Sequence, residues 1–246
     1  MVASVAGPNG LALELGKAYL TKGDRVAITR TDAGETAPDV REDTGTAARL
    51  RLATLSEHRA AEDREFIARL TAGELSLGEY TRYLAQFGWV YAALEARIPE
   101  PDDPALFDPA LARSASIRHD LLHLGVADWR SENPPLPATE AYVAHLASIP
   151  ANDTVRWVAH HYTRYLGDLS GGQAIGRLVA RHYGAAPEQL TFYDFADIEN
   201  LVAYRGAYRE GLDALELSSA EREVLVVEVR RAYEMNSALF DDLAQS

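Results

Sequence analysis

One segment constrains this chain more than any other. Residues 160–184, HHYTRYLGDLSGGQAIGRLVARHYG, keep helical periodicity while carrying Gly167, Gly171, Gly172 and Gly176. A glycine inside a helix costs about 1 kcal/mol relative to alanine, so four in one short stretch need a compensating reason. A kinked helix whose backbone lies directly on a flat ligand, where any β-carbon would clash, supplies one. Close helix–helix packing through small residues supplies another. Asp168 sits within the run, one turn after Arg164, and the plain account of those two is a surface ion pair.

The surrounding sequence is helical almost throughout. Ser76-Leu77-Gly78-Glu79 and Ser218-Ser219-Ala220-Glu221 have the form of capping boxes ahead of long amphipathic runs. Periodicity predicts further helices over 47–70 with a break, 109–124, 139–148, 152–183 and 195–214. PEPDDPALFDP and SENPPLPAT read as proline-rich joints. The one strand pattern, DRVAIT, falls in residues 1–45, which end in a polar linker around Pro38. The expected architecture is all-α: a single multi-helix domain over 46–246 behind a short N-terminal appendage over 1–45.

Composition narrows the chemistry. Lys and Arg number 24 against 37 Asp and Glu, a net charge of −13, which argues against nucleic acid or an anionic membrane surface as partner. The absence of cysteine removes disulfides, zinc–thiolate sites, iron–sulfur clusters, thiolate-ligated heme and cysteine nucleophiles. No apolar run approaches the ~18 residues of a membrane span, and no export signal opens the chain. A soluble, cytoplasmic protein is expected.

The chain has seven histidines, and two patterns among them need weighing as metal ligands. His119-Asp120-Leu121-Leu122-His123 places two imidazoles at i and i+4, a zinc-hydrolase spacing, but has Asp where the base is usually Glu and no evident third ligand. Solvated surface histidines are the better reading. Arg51, Leu55, His58 and Glu62 form one narrow helical stripe. An imidazole backed by a carboxylate one turn later is how a neutral axial iron ligand is held in one tautomer. An ordinary half-buried His–Glu pair has the same pattern.

TRYLGDLSGGQ resembles the signature of the heme oxygenases very closely. LRLATLSEHRAAEDREF resembles their ligand-bearing first helix. QFGWVYAALEARI, FYDFADIENLVAYRGAYREGLDALELS and AYEMNSALFDDL resemble three further segments in the right order. The resemblance covers the whole body and implies a heme-oxygenase bundle, with heme sandwiched between a proximal helix and a kinked, glycine-rich distal helix.

By position, that resemblance makes His58 the proximal iron ligand and Glu62 its supporting partner, with Gly167 and Gly171 permitting close approach on the distal face. Asp168 would anchor ordered waters near dioxygen, with Tyr91, Arg164 and Asn236 as other members. Arg51, Tyr162, Arg205 and Arg209 would hold the heme propionates, which suits two carboxylates on one ring edge. Arg51 and Arg205 stand where lysine is common in the family, which bears on heme rotation because guanidinium and ammonium are not interchangeable. Tyr233 sits where an aromatic is expected. His160 and His161 occupy no ligand position and read as structural.

The implied reaction is oxidative cleavage of heme b by O2 at one meso carbon, the α position, to biliverdin, CO and Fe2+. Heme is both substrate and cofactor. Electrons would come from an external reductase or ferredoxin, the protein would act as a monomer, and its role would be heme catabolism or iron acquisition. A non-catalytic heme carrier or sensor would need His58 and the cations but not Asp168, Arg164, Tyr91 and Asn236 together. A nucleotide-dependent oxidoreductase rests only on GPNGLALELGKAYLTKGDRVAITR, which looks somewhat like the start of a short-chain dehydrogenase. That fragment lacks its first strand and its catalytic half and cannot fold as a Rossmann unit.

Overall fold

The computed structural model describes residues 45–97, 99 and 103–246. The expected DRVAIT strand and all of the 1–45 appendage but Gly45 lie outside the described residues. Within them no strand occurs, and the architecture is all-α. No helix among them is long and apolar enough to cross a membrane.

The expected helix over 47–70 is three: α1 (Thr46–Ala53), α2 (Leu55–Glu62) and α3 (Glu65–Ala72). The break at Thr54 has a local cause. Its hydroxyl donates to the Leu50 carbonyl at 2.7 Å, a back-bond that bends helices. The Ala53 carbonyl instead accepts from the Arg230 guanidinium at 2.8 Å. Gly73, in the left-handed region at φ 77°, ends α3.

Helix α4 (Leu77–Leu94) starts at the expected capping box. Ser76 Oγ accepts from the Glu79 N–H at 3.1 Å, and Glu79 accepts from the Ser76 N–H at 2.6 Å. Its buried residues, Tyr80, Leu84, Phe87 and Tyr91 among them, make it a central helix of the core. The expected 109–124 helix splits into a 3₁₀ turn at Pro109–Leu111 and α5 (Ser114–His123), followed by a short α6 (Trp129–Glu132) that periodicity does not reveal.

Helix α7 (Pro137–Ser148) precedes α8 (Thr154–His161), which runs into two π-helical turns, Tyr162–Leu166 and Asp168–Gly172, on either side of Gly167. Helix α9 (Gln173–Tyr183) continues the same rod to Gly184. The expected 195–214 helix starts only at Leu201, because Asn200 Oδ1 caps the Val202 and Ala203 N–H groups at 3.1 and 3.0 Å; it forms α10 (Leu201–Asp213). Helix α11 (Ser219–Ala244) starts at the Ser218 capping box and packs along α2, α3, α7 and α8. Helix α10 packs on α1 and on the second π turn, and Asp213 at its end accepts from the Ala47 N–H at 2.8 Å.

Candidate active site

His58 lies on α2 with its ring half-buried. Its Nδ1 is 3.4 Å from Glu62 Oε2, one turn on, and its ring meets the Tyr233 ring edge-on at 5.7 Å. With Nδ1 engaged by a carboxylate, Nε2 is the nitrogen suited to a metal. Arg51, expected on the same stripe, belongs to α1 across the Thr54 break.

Across the fold, the glycine-bearing rod divides its glycines between two jobs. Gly167 is exposed, and among the described residues no atom lies within 4 Å of a Cβ placed there. Gly176 is different: a Cβ there would lie 3.0 Å from the Tyr193 ring, and one on Gly172 would lie 3.4 Å from it. Gly176 therefore makes room for a tyrosine, so bare backbone facing a ligand cannot account for the whole run. Gly171 is half-buried on the second π turn. Paired π turns themselves are frequent at functional sites.

Arg164 and Asp168 are not a surface pair. Their side chains are 10% and 13% exposed, with Arg164 Nη2 3.4 Å from Asp168 Oδ1. Arg164 also donates to the Tyr91 hydroxyl at 3.2 Å and to Asn236 Oδ1 at 3.1 Å, and Tyr91 donates to Asp168 Oδ2. Its guanidinium lies 4.3 Å over the Phe87 ring. The structure thus joins Tyr91, Arg164, Asp168 and Asn236 by direct hydrogen bonds from α4, the rod and α11. Burial raises the Asp168 pKa, with the Arg164 charge and the Tyr91 hydrogen bond opposing it. Burial also holds Tyr91 well above its usual value and so fully protonated as a donor.

The expected cations converge in part. Burial raises the Tyr162 phenol, while the charges of Arg209 and Arg51 act against it, so both cations lie near enough to act on that hydroxyl. Arg205 is half-buried one turn before the exposed Arg209 on α10. Leu52 and Leu55, beside Arg51 and His58, stay 70% and 38% exposed, an apolar surface suited to a flat apolar ligand.

The remaining histidines separate cleanly. His119 and His123 stack with centroids 4.2 Å apart on an exposed face of α5, and Asp120 turns inward to accept from the Phe192 N–H at 2.8 Å. His161 is buried, its Nδ1 2.8 Å from the Tyr208 hydroxyl. Three features escaped sequence reasoning: Tyr193 against the glycines, Glu228 bonded to His145 and His160, and Glu95 accepting from the Tyr165 hydroxyl at 2.9 Å. All are contacts between distant segments, for which helical periodicity carries no signal.

Comparison with known proteins identifies the family and the fold. The Heme oxygenase family model matches residues 44–242. Heme oxygenase 1 of Nostoc sp. is 33% identical over 200 residues, covering 79% of this chain and 84% of that protein. Human heme oxygenase 1 is 30% identical over 203 residues, covering 80% and 70%. The crystal structure of heme oxygenase-1 from the cyanobacterium Synechocystis in complex with heme superimposes with a TM-score of 0.78 at 30% identity, over 82% of this chain and 93% of that one. That of the Leptospira interrogans heme oxygenase gives 0.75, also at 30% identity, over 80% and 98%. With its fold and its length so matched, the chain belongs to the heme oxygenase family.

Proposed function

We propose that this chain cleaves heme oxidatively to biliverdin, CO and Fe2+, with the domain over 46–246 carrying the activity and residues 1–45 as an appendage. The observation that carries the reading is the buried cluster of Asp168, Arg164, Tyr91 and Asn236 set beside an open glycine face. A carrier would need only the axial ligand and the cations.

The residues present suit heme. His58 is an imidazole with Nδ1 already committed to Glu62, the apolar Leu55 is exposed one turn before it on the same helix, and the bare backbone of Gly167 leaves room for a flat ring. When bound, heme supplies the iron at which dioxygen is reduced and the meso carbon that is oxidised. His58 would hold the iron through Nε2, and Glu62 would fix the tautomer. Arg51, Arg205, Arg209 and the Tyr162 hydroxyl would hold the propionates and so set which meso carbon faces the distal helix. Gly167 and Gly171 would let that helix press close and exclude bulk water.

Asp168 performs the polar part. Tyr91 and Arg164 orient its two oxygens, and Asn236 fixes Arg164 in turn. A carboxyl so held, with its proton affinity raised by burial, orders water and passes protons toward the ring edge without donating indiscriminately. The electrons come from a separate reductase or ferredoxin, since the sequence of the domain carries no flavin or nicotinamide motif. We place the protein in the cytoplasm as a monomer.

Turnover tests this reading. Purified full-length protein with heme, air and a reducing system should lose the heme absorbance and form biliverdin and CO in equal amounts. Heme left intact by a protein that binds it would favour a carrier.

A further inference from the structure

A second cluster of ligand-type side chains lies where α7, α8 and α11 meet, and it uses none of the residues assigned to heme. His145, His160 and Glu228 each offer one ligand atom, all within 4.8 Å of one another. Glu228 Oε1 stands 2.5 Å from His145 Nε2 and 3.0 Å from His160 Nε2. The side chains are 16%, 0% and 2% exposed, in the order His145, His160, Glu228. Such burial separates this trio from the exposed His119–His123 pair.

We propose that His145, His160 and Glu228 form a binding site for a divalent first-row transition metal ion, of which Zn2+ is the type, through both imidazole Nε2 atoms and one carboxylate oxygen. Two imidazoles and a carboxylate are a three-ligand set that Zn2+ accepts with water in the fourth position. The three helices already gather the donors, so little ordering remains to be done on binding.

The surroundings suit ligation. His160 Nδ1 lies 3.1 Å from the Tyr142 hydroxyl. When Nε2 binds an ion, the single proton of the neutral imidazole resides on Nδ1, and the Tyr142 oxygen can accept it. Metal-binding histidines are characteristically fixed by such an outer partner. The second carboxylate oxygen, Glu228 Oε2, faces Arg156 Nε at 3.6 Å and Arg231 Nη1 at 3.5 Å. These arginine side chains, 40% and 47% exposed, lie on the Oε2 side and leave Oε1 to the imidazoles. Because His160 lies just before the first π turn, a bound ion would tie the entrance of the distal rod to α7 and α11.

The test uses the full chain, loaded with heme and carrying His119→Ala and His123→Ala so that the surface pair cannot respond. Titration with Zn2+ by calorimetry should show one saturable equivalent and raise the Tm. In the heme-free chain, where no porphyrin bands cover it, Co2+ should give the intense visible absorption of a four-coordinate site and be displaced by Zn2+. His145→Ala and Glu228→Gln should weaken Zn2+ binding by more than the roughly 10–100-fold that loss of an outer partner costs, and Tyr142→Phe by about tenfold. Equal Zn2+ affinity in His145→Ala and its parent would overturn the proposal, as would absence of a saturable equivalent. Should the ligand variants fail to fold, the parent's Co2+ spectrum decides: no four-coordinate absorption means no site.

Discussion

Arg164 Nη2 lies 3.4 Å from Asp168 Oδ1 with both side chains almost withdrawn from water, an i, i+4 pair inside the fold. A buried ion pair adds little to stability unless further hydrogen bonds complete it. Here Tyr91 and Asn236 do so, which leaves a carboxyl fixed in direction and raised in proton affinity beside the open Gly167 face. Stability alone does not explain four polar groups placed there.

The two kinds of glycine should respond oppositely to a methyl group. Gly176→Ala forces a Cβ to 3.0 Å from the Tyr193 ring and should destabilise the fold by about 1–3 kcal/mol. Gly167→Ala meets nothing among the described residues and should stabilise it by about 0.5–1 kcal/mol while weakening heme binding. Urea unfolding and heme titration of both variants check this.

His58→Ala should abolish the histidine-ligated heme spectrum, and added imidazole should restore it. His119→Ala and His123→Ala should leave the spectrum unchanged. Visible spectra of the three variants with heme make the comparison.

Arg209→Ala removes one of the two cations whose charge acts on the Tyr162 hydroxyl. Because Arg209 is exposed, heme affinity should fall only about tenfold, ~1.4 kcal/mol, less than for a buried charged partner. The larger consequence should be a mixture of biliverdin isomers, since the ring loses part of its rotational anchor. Heme titration and chromatography of the products read the two effects.

Stability should fall with acid below about pH 6.5. Burial pushes the His161 imidazole down to about 3 from its usual 6.5. Between those values the unfolded chain takes up a proton that the folded protein excludes. The stability due to this group is therefore complete above 6.5 and declines by ~1.4 kcal/mol per pH unit as pH falls toward 3. His160, also depressed by burial, acts in the same direction. His161→Gln should flatten the pH dependence of urea unfolding between pH 6.5 and 4.5, whatever its cost at pH 7.

What the sequence reveals here is what local pattern encodes. The Ser76 and Ser218 capping boxes start helices where serine and glutamate spacing places them, and His58 meets Glu62 because four residues make one turn. The same periodicity cannot see Thr54 bonding back to Leu50, or Asn200 starting a helix six residues later than expected. It reads Arg164 and Asp168 as a surface pair because spacing carries no information about burial, which α4 and α11 provide from far along the chain. Tyr193 taking up the space beside Gly176, and Glu228 joining His145 to His160, depend on contacts between remote segments. Neither has a local signature.

The most direct test is heme cleavage by Asp168→Ala. The variant keeps His58, Arg51, Arg205 and Arg209, so its ferric heme spectrum and heme affinity should match the parent's. It loses the carboxyl that Tyr91 and Arg164 orient, so biliverdin formation under air with the same reducing system should drop at least tenfold, with Asp168→Asn in between. Heme bound normally and biliverdin nearly absent is the expected result. Biliverdin formed at the parental rate would show that Asp168 is only Arg164's structural partner and that protons reach the ring edge by another path.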